Sequence, residues 1–324
     1  MAKRDVATEI SRLARERILV LDGAWGTMLH GAGLRPEDYR GSRFASHHLD
    51  VAGDPDVLNL TRPELIRDVH ERYLAAGADI TTTNTFTATS IGQADYGLED
   101  AVHELNVAGA RIAREAAGDR FVAGSVGPLN VTLSLSPKVD DAGFRTHTFD
   151  EVKAAYAEQI AALVEGGVDV ILLETIFDTL NAKAAITAAR ETAPSTPLWI
   201  SATIVDLSGR TLSGQTIEAV WTSIEHAEPL IVGVNCSLGA KELRPYVAEL
   251  ARIAPCLVSA HPNAGLPNAF GGYDETPEVT STLLREFASD GLLNVAGSCC
   301  GSTPEHTRAI ADVTRGLSPR QVPR

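Results

Sequence analysis

Short apolar segments rich in β-branched residues alternate with segments of helical periodicity along almost the whole chain. There are eight apolar segments, at residues 18–21, 79–83, 121–126, 169–175, 198–203, 231–235, 257–261 and 293–297. Strands that are buried on both faces of a parallel sheet have this nearly continuous apolar character. Because a helical pattern follows most of them, the eight repeats predict an α/β fold, a (β/α)8 TIM barrel that forms a single domain.

Helix-start signals lie between these segments. Thr61, Thr148 and Ser302 each precede a glutamate by three positions, which is the pattern of a capping box. We expect the barrel to occupy residues 1–316. We expect residues 317–324 to form a linker-like tail, as in a module that is related to part of a longer chain.

Charge and composition argue against two classes of partner. The 324 residues carry a net charge of −14, and there is no basic stripe with interleaved aromatic residues, so nucleic acid is not expected as a partner. No apolar run approaches the roughly 18 residues that span a membrane. The four cysteines, two of them adjacent, suit a metal site in the reducing cytoplasm better than a disulfide framework.

Three of the four cysteines follow predicted strands. Cys236 follows the sixth strand, and Cys299 and Cys300 follow the eighth. A barrel gathers the carboxyl ends of its strands at one face, so we expect these thiols to lie together there. Three thiolates with a free fourth position are typical of a catalytic zinc site. The alternative is that they are small buried apolar residues, which we favour for Cys256 at the opposite face.

The ligand set predicts a class of chemistry. A thiol that enters the open zinc position loses its proton and remains a soft nucleophile at neutral pH. Activation of water is the competing use, but hydrolytic zinc sites prefer neutral histidine ligands. A disulfide between adjacent cysteines would close a strained ring. The pattern therefore favours alkylation of a thiol substrate.

Polar residues at other strand ends predict how such a substrate is oriented. Asp22 and Glu174 are candidates for holding an ammonium group, and Gly23 lies in a turn whose amides suit a carboxylate. Asn84 ends the second strand, and Asn263 is a candidate for lending its amide oxygen to zinc. The alternatives stay open: Asp22 and Asn263 as turn residues, and Glu174 in a salt bridge at the barrel mouth.

Several motifs resemble the homocysteine S-methyltransferase family over nearly the whole chain. They lie at residues 21–27, 83–86, 174–175, 235–236 and 297–301. Three longer stretches are similar to the N-terminal homocysteine-binding domain of cobalamin-dependent methionine synthases, and they lie at residues 174–183, 208–215 and 261–268. Trp25 departs from the pattern of an otherwise matching motif.

The resemblance implies a zinc ion on Cys236, Cys299 and Cys300, with the homocysteine sulfur bound to it and the amino-acid end near Asp22 and Glu174. It implies a methyl group from methylcobalamin, recharged by 5-methyltetrahydrofolate. The cobalamin would be held on another domain or chain, or be free in solution.

Three other functions remain open from the sequence. One is a methyltransferase that uses S-methylmethionine or another sulfonium donor. The second is a non-catalytic zinc-binding module. The third is a barrel enzyme that acts on a phosphorylated substrate, since a fold does not determine a function.

Overall fold

The computed structural model describes residues 5–323. Residues 1–4, at the start of the predicted barrel domain, and Arg324, the last residue of the predicted tail, lie outside the described residues. Between Asp5 and Pro323, eight parallel strands are formed: β1 (Leu19–Val20), β2 (Ile80–Thr82), β3 (Phe121–Val126), β4 (Val170–Ile176), β5 (Leu198–Ala202), β6 (Ile231–Gly239), β7 (Leu257–Asn263) and β8 (Val295–Ala296).

Helices connect and surround these strands. In chain order they are α1 (Val6–Glu16), α2 (Trp25–Gly31), α3 (Pro36–Arg40), α4 (Leu58–Thr61), α5 (Pro63–Ala75), α6 (Ser90–Gln93), α7 (Val102–Ala117), α8 (Phe149–Gly166), α9 (Thr179–Thr192), α10 (Ile217–Ile224), α11 (Ala240–Ile253), α12 (Pro277–Ser289) and α13 (Pro304–Thr314). Within the described residues, none of these helices has the length and apolarity needed to cross a bilayer.

The sheet closes into a barrel. Its strand order is β1-β8-β7-β6-β5-β4-β3-β2, with parallel pairing throughout. A parallel bridge between Leu21 and Ile80 joins β1 and β2, which stand at the two ends of this order. The Asp22 amide also donates to the Ile80 carbonyl at 3.0 Å. The predicted TIM barrel is therefore confirmed.

The barrel interior is closed at its amino-terminal end. Alternate residues of the strands, such as Leu172, Trp199 and Ile231, pack together inside the barrel. Ile10 and Ala14 of α1 belong to the same buried cluster, so this amphipathic helix plugs the lower opening. The polar residues at the opposite ends of the strands are left to form a site.

Two strands extend at least two residues further than predicted. The sixth was predicted to end at residue 235, but β6 continues to Gly239, and β7 continues to Asn263. The pairing between them shifts register after Asn235 and resumes at Gly239. Cys236 lies in this irregular segment, where a change in backbone direction is possible without ending the strand.

The predicted helix starts have mixed outcomes. Thr148 forms the capping box, because its hydroxyl accepts from the Glu151 amide at 3.2 Å and the Glu151 carboxylate accepts from the Thr148 amide at 2.7 Å. The box at Thr61 is wrong, since Thr61 ends α4 and Arg62 precedes α5. The box at Ser302 is also wrong, because α13 is capped by Thr303 and the Ser302 hydroxyl is used elsewhere.

Arg320 fastens residues near the end of the chain to the bottom of the barrel. Its buried guanidinium donates to the carbonyls of Ala251, Ala254 and Cys256 at 2.8, 2.6 and 2.8 Å. We expect Arg320→Met to lower the free energy of unfolding by about 2–4 kcal/mol, because buried carbonyls lose charged donors. Urea denaturation measures the change.

Exposed Arg315 provides the matched control. It pairs with Asp312 at 3.2 Å with most of its side chain in solvent. Arg315→Met should therefore change the free energy of unfolding by less than about 0.5 kcal/mol. Equal effects of the two substitutions would contradict the anchoring role of Arg320.

Candidate active site

A cavity of about 270 Å³ lies at the carboxyl ends of the strands. The residues around it come mainly from the carboxyl-terminal parts of β2, β3, β4, β6 and β7 and from the segments directly after β1, β2 and β8, which are distant in the sequence. Seven of the eight residues proposed from the sequence line it: Asp22, Gly23, Asn84, Glu174, Cys236, Cys299 and Cys300. The barrel thus brings together the candidates for thiol activation and those for substrate orientation.

Three thiols converge at one side of this cavity. The Cys236 and Cys300 sulfurs are 3.6 Å apart, and those of Cys299 and Cys300 are 4.0 Å apart. All three sulfurs lie within 4.8 Å of one another, and no other group of three or more such ligand residues converges in this way within residues 5–323. This proximity suits three ligands of a single metal ion.

Asn235 holds the backbone around Cys236. Cys236 and Ser237 have φ values of +60° and +61°, a left-handed conformation that is costly for residues with a side chain. The side-chain oxygen of Asn235 accepts from the Thr175 amide at 3.0 Å and from the Ser201 hydroxyl at 2.6 Å. These buried bonds stabilise the strained turn that places Cys236 at the cavity.

Backbone hydrogen bonds fix the other two cysteines. The Cys299 amide donates to the Pro262 carbonyl at 2.6 Å, and the Ser302 hydroxyl donates to the Cys299 carbonyl at 2.6 Å. The Gly301 amide donates to the Thr27 hydroxyl at 3.0 Å. The pair is therefore held by contacts to β7 and α2 before any metal is considered.

Asn263 is the one proposed residue that does not line the cavity. It is buried, and its side-chain oxygen accepts from the Cys300 amide at 3.1 Å. The extension of β7 to Asn263 brings it against the cysteine pair rather than the substrate space. Its contact therefore orients the backbone of Cys300.

The three thiols disfavour one another's ionisation when no cation lies between them. Hydrogen bonds from the thiols of Cys236 and Cys299 lower the pKa of Cys300 to about 3. The same contacts with Cys236 and Cys300 raise the pKa of Cys299 well above its usual value. Like charges this close disfavour one another, so one thiolate suppresses ionisation of the others. A divalent cation removes this conflict, and the donor set fits zinc.

Asp22 is buried beside the cavity and anchored to β2. Its carboxylate accepts from the Thr81 hydroxyl at 2.8 Å and from the Thr82 amide at 2.7 Å. Burial raises its pKa to about 7 despite these donors. The carboxylate therefore bonds to the neighbouring strand β2, and within the described residues no hydrogen bond to its own turn is found.

Glu174 is the second carboxylate of the cavity. It accepts from the Ser125 hydroxyl at 2.5 Å, and burial raises its pKa to about 7. Neither Glu174 nor Asp22 forms an ion pair in the part of the chain that the structure describes. Among the described residues Glu174 therefore does not form the salt bridge that was the alternative. Both carboxylates are available to bind a cationic group of a ligand.

Gly23 and Asn84 shape the wall of the cavity. A Cβ atom at Gly23 would lie 2.8 Å from the Tyr73 ring and 2.9 Å from the Ser302 hydroxyl, so only glycine fits. The Ala24 amide donates to the Ser302 hydroxyl at 3.1 Å, so this amide of the turn is not free to bind a substrate carboxylate. Asn84 donates to the Pro55 carbonyl at 2.7 Å and so holds a second wall segment.

Some residues of the site were missed from the sequence. Thr81 and Thr82 belong to a strand that was identified only by its apolar character, and their hydroxyls bind Asp22. Ser298 lies beside the cysteine pair and lines the cavity. His261 also lines it, and burial lowers its pKa to about 3. Period-two alternation along each strand is the signal that identifies such inward side chains.

The raised pKa of Asp22 predicts a pH dependence of stability. The pKa of Asp22 is about 7 in the folded chain, and its ordinary value of 3.8 applies to the unfolded chain. Between these two pH values the folded state retains a proton that the unfolded state releases. This contribution to stability is complete below about pH 4 and is lost as the pH rises through about 7. We expect metal-free Asp22→Asn to lose less stability than metal-free wild type between about pH 5 and pH 8. Urea denaturation at each pH tests this, and parallel curves would contradict it.

Comparison with known proteins adds an independent observation. Residues 19–314 match the family model described as homocysteine S-methyltransferase. The fold is similar to that of the homocysteine methyltransferase MmuM from Escherichia coli. Its metallated form has 23% identity and a TM-score of 0.71, over 93% of this chain and 98% of that one. Its oxidized form has 22% identity and a TM-score of 0.72, over 96% and 99%.

Proposed function

The chain belongs to the homocysteine S-methyltransferase family, and we propose that it transfers a methyl group to the sulfur of homocysteine at the three-cysteine site. The observation that carries the proposal is the convergence of Cys236, Cys299 and Cys300 in a cavity that also holds two carboxylates, the buried Asp22 and the half-buried Glu174. A thiol amino acid needs both elements, one for its sulfur and one for its ammonium group.

The cysteines are the proposed ligands of a zinc ion. When bound there, zinc lowers the pKa of an incoming thiol, so the thiol can react as a thiolate near neutral pH. The chain's own contribution is to hold three thiols within 4.8 Å of one another. The Asn235 contacts and the Asn263 contact fix the backbone from which they project.

The carboxylates are proposed to bind the amino-acid end of homocysteine. Asp22 and Glu174 both have raised pKa values because they are buried without a cationic partner. A substrate ammonium supplies that partner, so its binding favours the ionised form of both carboxylates and releases any protons they hold. The turn after β1, whose Gly23 and Gly26 line the cavity, is the proposed place for the substrate carboxylate, because backbone amides of such a turn can donate to it.

Methylcobalamin is the proposed methyl donor, held on another domain or chain and recharged by 5-methyltetrahydrofolate. Exposed apolar side chains on the loops after β3, β5 and β7 favour a large methyl donor over a small one. Val139, Leu207 and Phe270 are 105%, 73% and 98% exposed, on the face that carries the cavity. Apolar side chains this exposed suit contact with another molecule.

A sulfonium donor such as S-methylmethionine is the second candidate. One observation favours it: nearly the full length of the methyltransferase MmuM aligns with this barrel, so a methyltransferase need contain little beyond such a domain. A small donor would enter the cavity directly and require no carrier.

Methionine formation with each donor tests these proposals. Zinc-loaded protein is given homocysteine with either free methylcobalamin or S-methylmethionine, and Cys300→Ser serves as the background. We expect the rate with methylcobalamin to be at least about tenfold higher, a difference of about 1.4 kcal/mol in activation free energy. The reverse preference would establish the sulfonium donor. A zinc-loaded protein that takes up no thiol would instead be a non-catalytic module.

A further inference from the structure

We propose that His70 and Trp25 are positioning residues for substrate binding, acting on Asp22 through two hydrogen-bond relays. This inference rests on the proposed role of Asp22 in binding the homocysteine ammonium. His70 is fully buried in α5, and Trp25 begins α2. Their rings meet edge to face with centroids 4.7 Å apart, so the two relays form one assembly behind the carboxylate.

The first relay runs from His70 through Thr81. His70 Nδ1 lies 2.7 Å from the Thr81 hydroxyl, which donates to Asp22 Oδ2 at 2.8 Å. A hydroxyl has one proton, so when Thr81 donates to the carboxylate its oxygen accepts from His70. Burial keeps His70 neutral, because its pKa is lowered to about 3. Its single ring proton is therefore on Nδ1.

The second relay runs from Trp25 through Thr82. The indole nitrogen of Trp25 donates to the Thr82 hydroxyl at 3.0 Å. That hydroxyl lies 3.1 Å from Asp22 Oδ1 and 3.2 Å from Oδ2. An indole N–H can only donate, so the direction of this relay is fixed as well.

Both relays end on the same carboxylate and point the same way. Each threonine is polarised by a ring N–H behind it, which strengthens its donation to an ionised acceptor. Oδ2 receives the Thr81 hydroxyl and the Thr82 amide, and it shares the Thr82 hydroxyl with Oδ1, which has no other donor among the described residues. Oδ1 is thus the oxygen with room for a substrate ammonium.

Removal of the Thr81 hydroxyl tests the first relay with little change of shape. We expect Thr81→Val to weaken homocysteine binding to the zinc-loaded protein by about tenfold or more, as measured by calorimetry, because a bond to a charged group is lost. Thr314→Val is the matched control. The Thr314 hydroxyl donates within α13 to the Ile310 carbonyl, and its loss should leave binding unchanged.

Two further comparisons separate positioning from packing. With 4-mercaptobutanoate, which lacks the amino group, Thr81→Val should change affinity by less than about twofold, and the same holds for homocysteine in an Asp22→Asn background. His70→Asn, which retains a donor near Nδ1, should bind homocysteine more tightly than His70→Leu. Trp25→Phe should reproduce the Thr81→Val pattern through the second relay.

The outcomes distinguish the two proposals. If Asp22→Asn weakens homocysteine binding but Thr81→Val and Trp25→Phe do not, the relays are structural and the inference fails alone. If Asp22→Asn itself leaves the affinity unchanged, the proposed role of Asp22 fails and the relays with it. Equal losses for homocysteine and 4-mercaptobutanoate would also overturn the inference, because packing defects do not depend on the amino group.

Discussion

Cys300→Ser should lose zinc and methyl transfer together. A serine hydroxyl is a poor substitute for a thiolate ligand, and two remaining cysteines do not complete a three-ligand site. We expect the zinc content to fall from about one per chain to below about 0.1 after dialysis. Methionine formation should fall by more than about 100-fold. Loss of a residue that only supports a metal ligand already costs up to about 100-fold, and Cys300 is itself a proposed ligand. Elemental analysis and a methionine assay on the same sample measure both.

Cys256→Ser is the matched control. Cys256 precedes β7 at the opposite end of the barrel, where its carbonyl accepts from Arg320. Its thiol does not line the cavity at the carboxyl ends of the strands, so the substitution should leave zinc content and turnover within about twofold of wild type. Full zinc occupancy in Cys300→Ser would show that the thiols are not a single site.

Removal of either cavity carboxylate should produce the second large effect. Asp22→Asn and Glu174→Gln are each expected to weaken homocysteine binding by about 100-fold. Truncation of one partner of a buried charge pair costs about 2–5 kcal/mol, and each 1.4 kcal/mol is a factor of ten in affinity. Calorimetry with zinc-loaded protein measures the change.

Substrate analogues and an exposed aspartate control this prediction. Neither substitution should weaken binding of 4-mercaptobutanoate by more than about tenfold, because that thiol has no ammonium group. Asp206→Asn changes an exposed loop carboxylate that accepts from the Ser208 amide, and it should not alter affinity for either thiol. Unchanged homocysteine affinity in both Asp22→Asn and Glu174→Gln would contradict the proposed orientation of the substrate.

The cysteine cluster was predictable because it depends only on topology. Once eight strand–helix repeats are recognised, residues that follow different strands must meet at one face of the barrel. Cys236 and Cys300 are 64 residues apart in the sequence, yet their sulfurs lie 3.6 Å apart. The carboxylates of Asp22 and Glu174 reach the cavity for the same reason.

The local backbone was not predictable in the same way. The left-handed conformation of Cys236 depends on Asn235, whose partners Thr175 and Ser201 come from two other strands. Asn263 was a candidate for lending its amide oxygen to zinc, and the continuation of β7 places that oxygen against the Cys300 amide. Such contacts are set by tertiary packing, and no single segment contains them.

The two failed helix starts have different causes. Ser302 has the sequence pattern of a capping residue, but its hydroxyl donates to Cys299 and accepts from Ala24. Thr61 is part of the short helix α4, which the pattern of apolar residues did not reveal. The relays behind Asp22 were also hidden, because Thr81 and Thr82 are ordinary residues of a β-strand.

Thiol uptake by the zinc-loaded protein is the most direct test of the central claim. Homocysteine is titrated into wild type of known zinc content, and binding and proton release are recorded together. An open three-thiolate zinc site predicts saturable uptake of about one thiol per zinc, with net release of protons as the thiol ionises. Protein that holds zinc but takes up no homocysteine, or that holds no zinc at all, would contradict it.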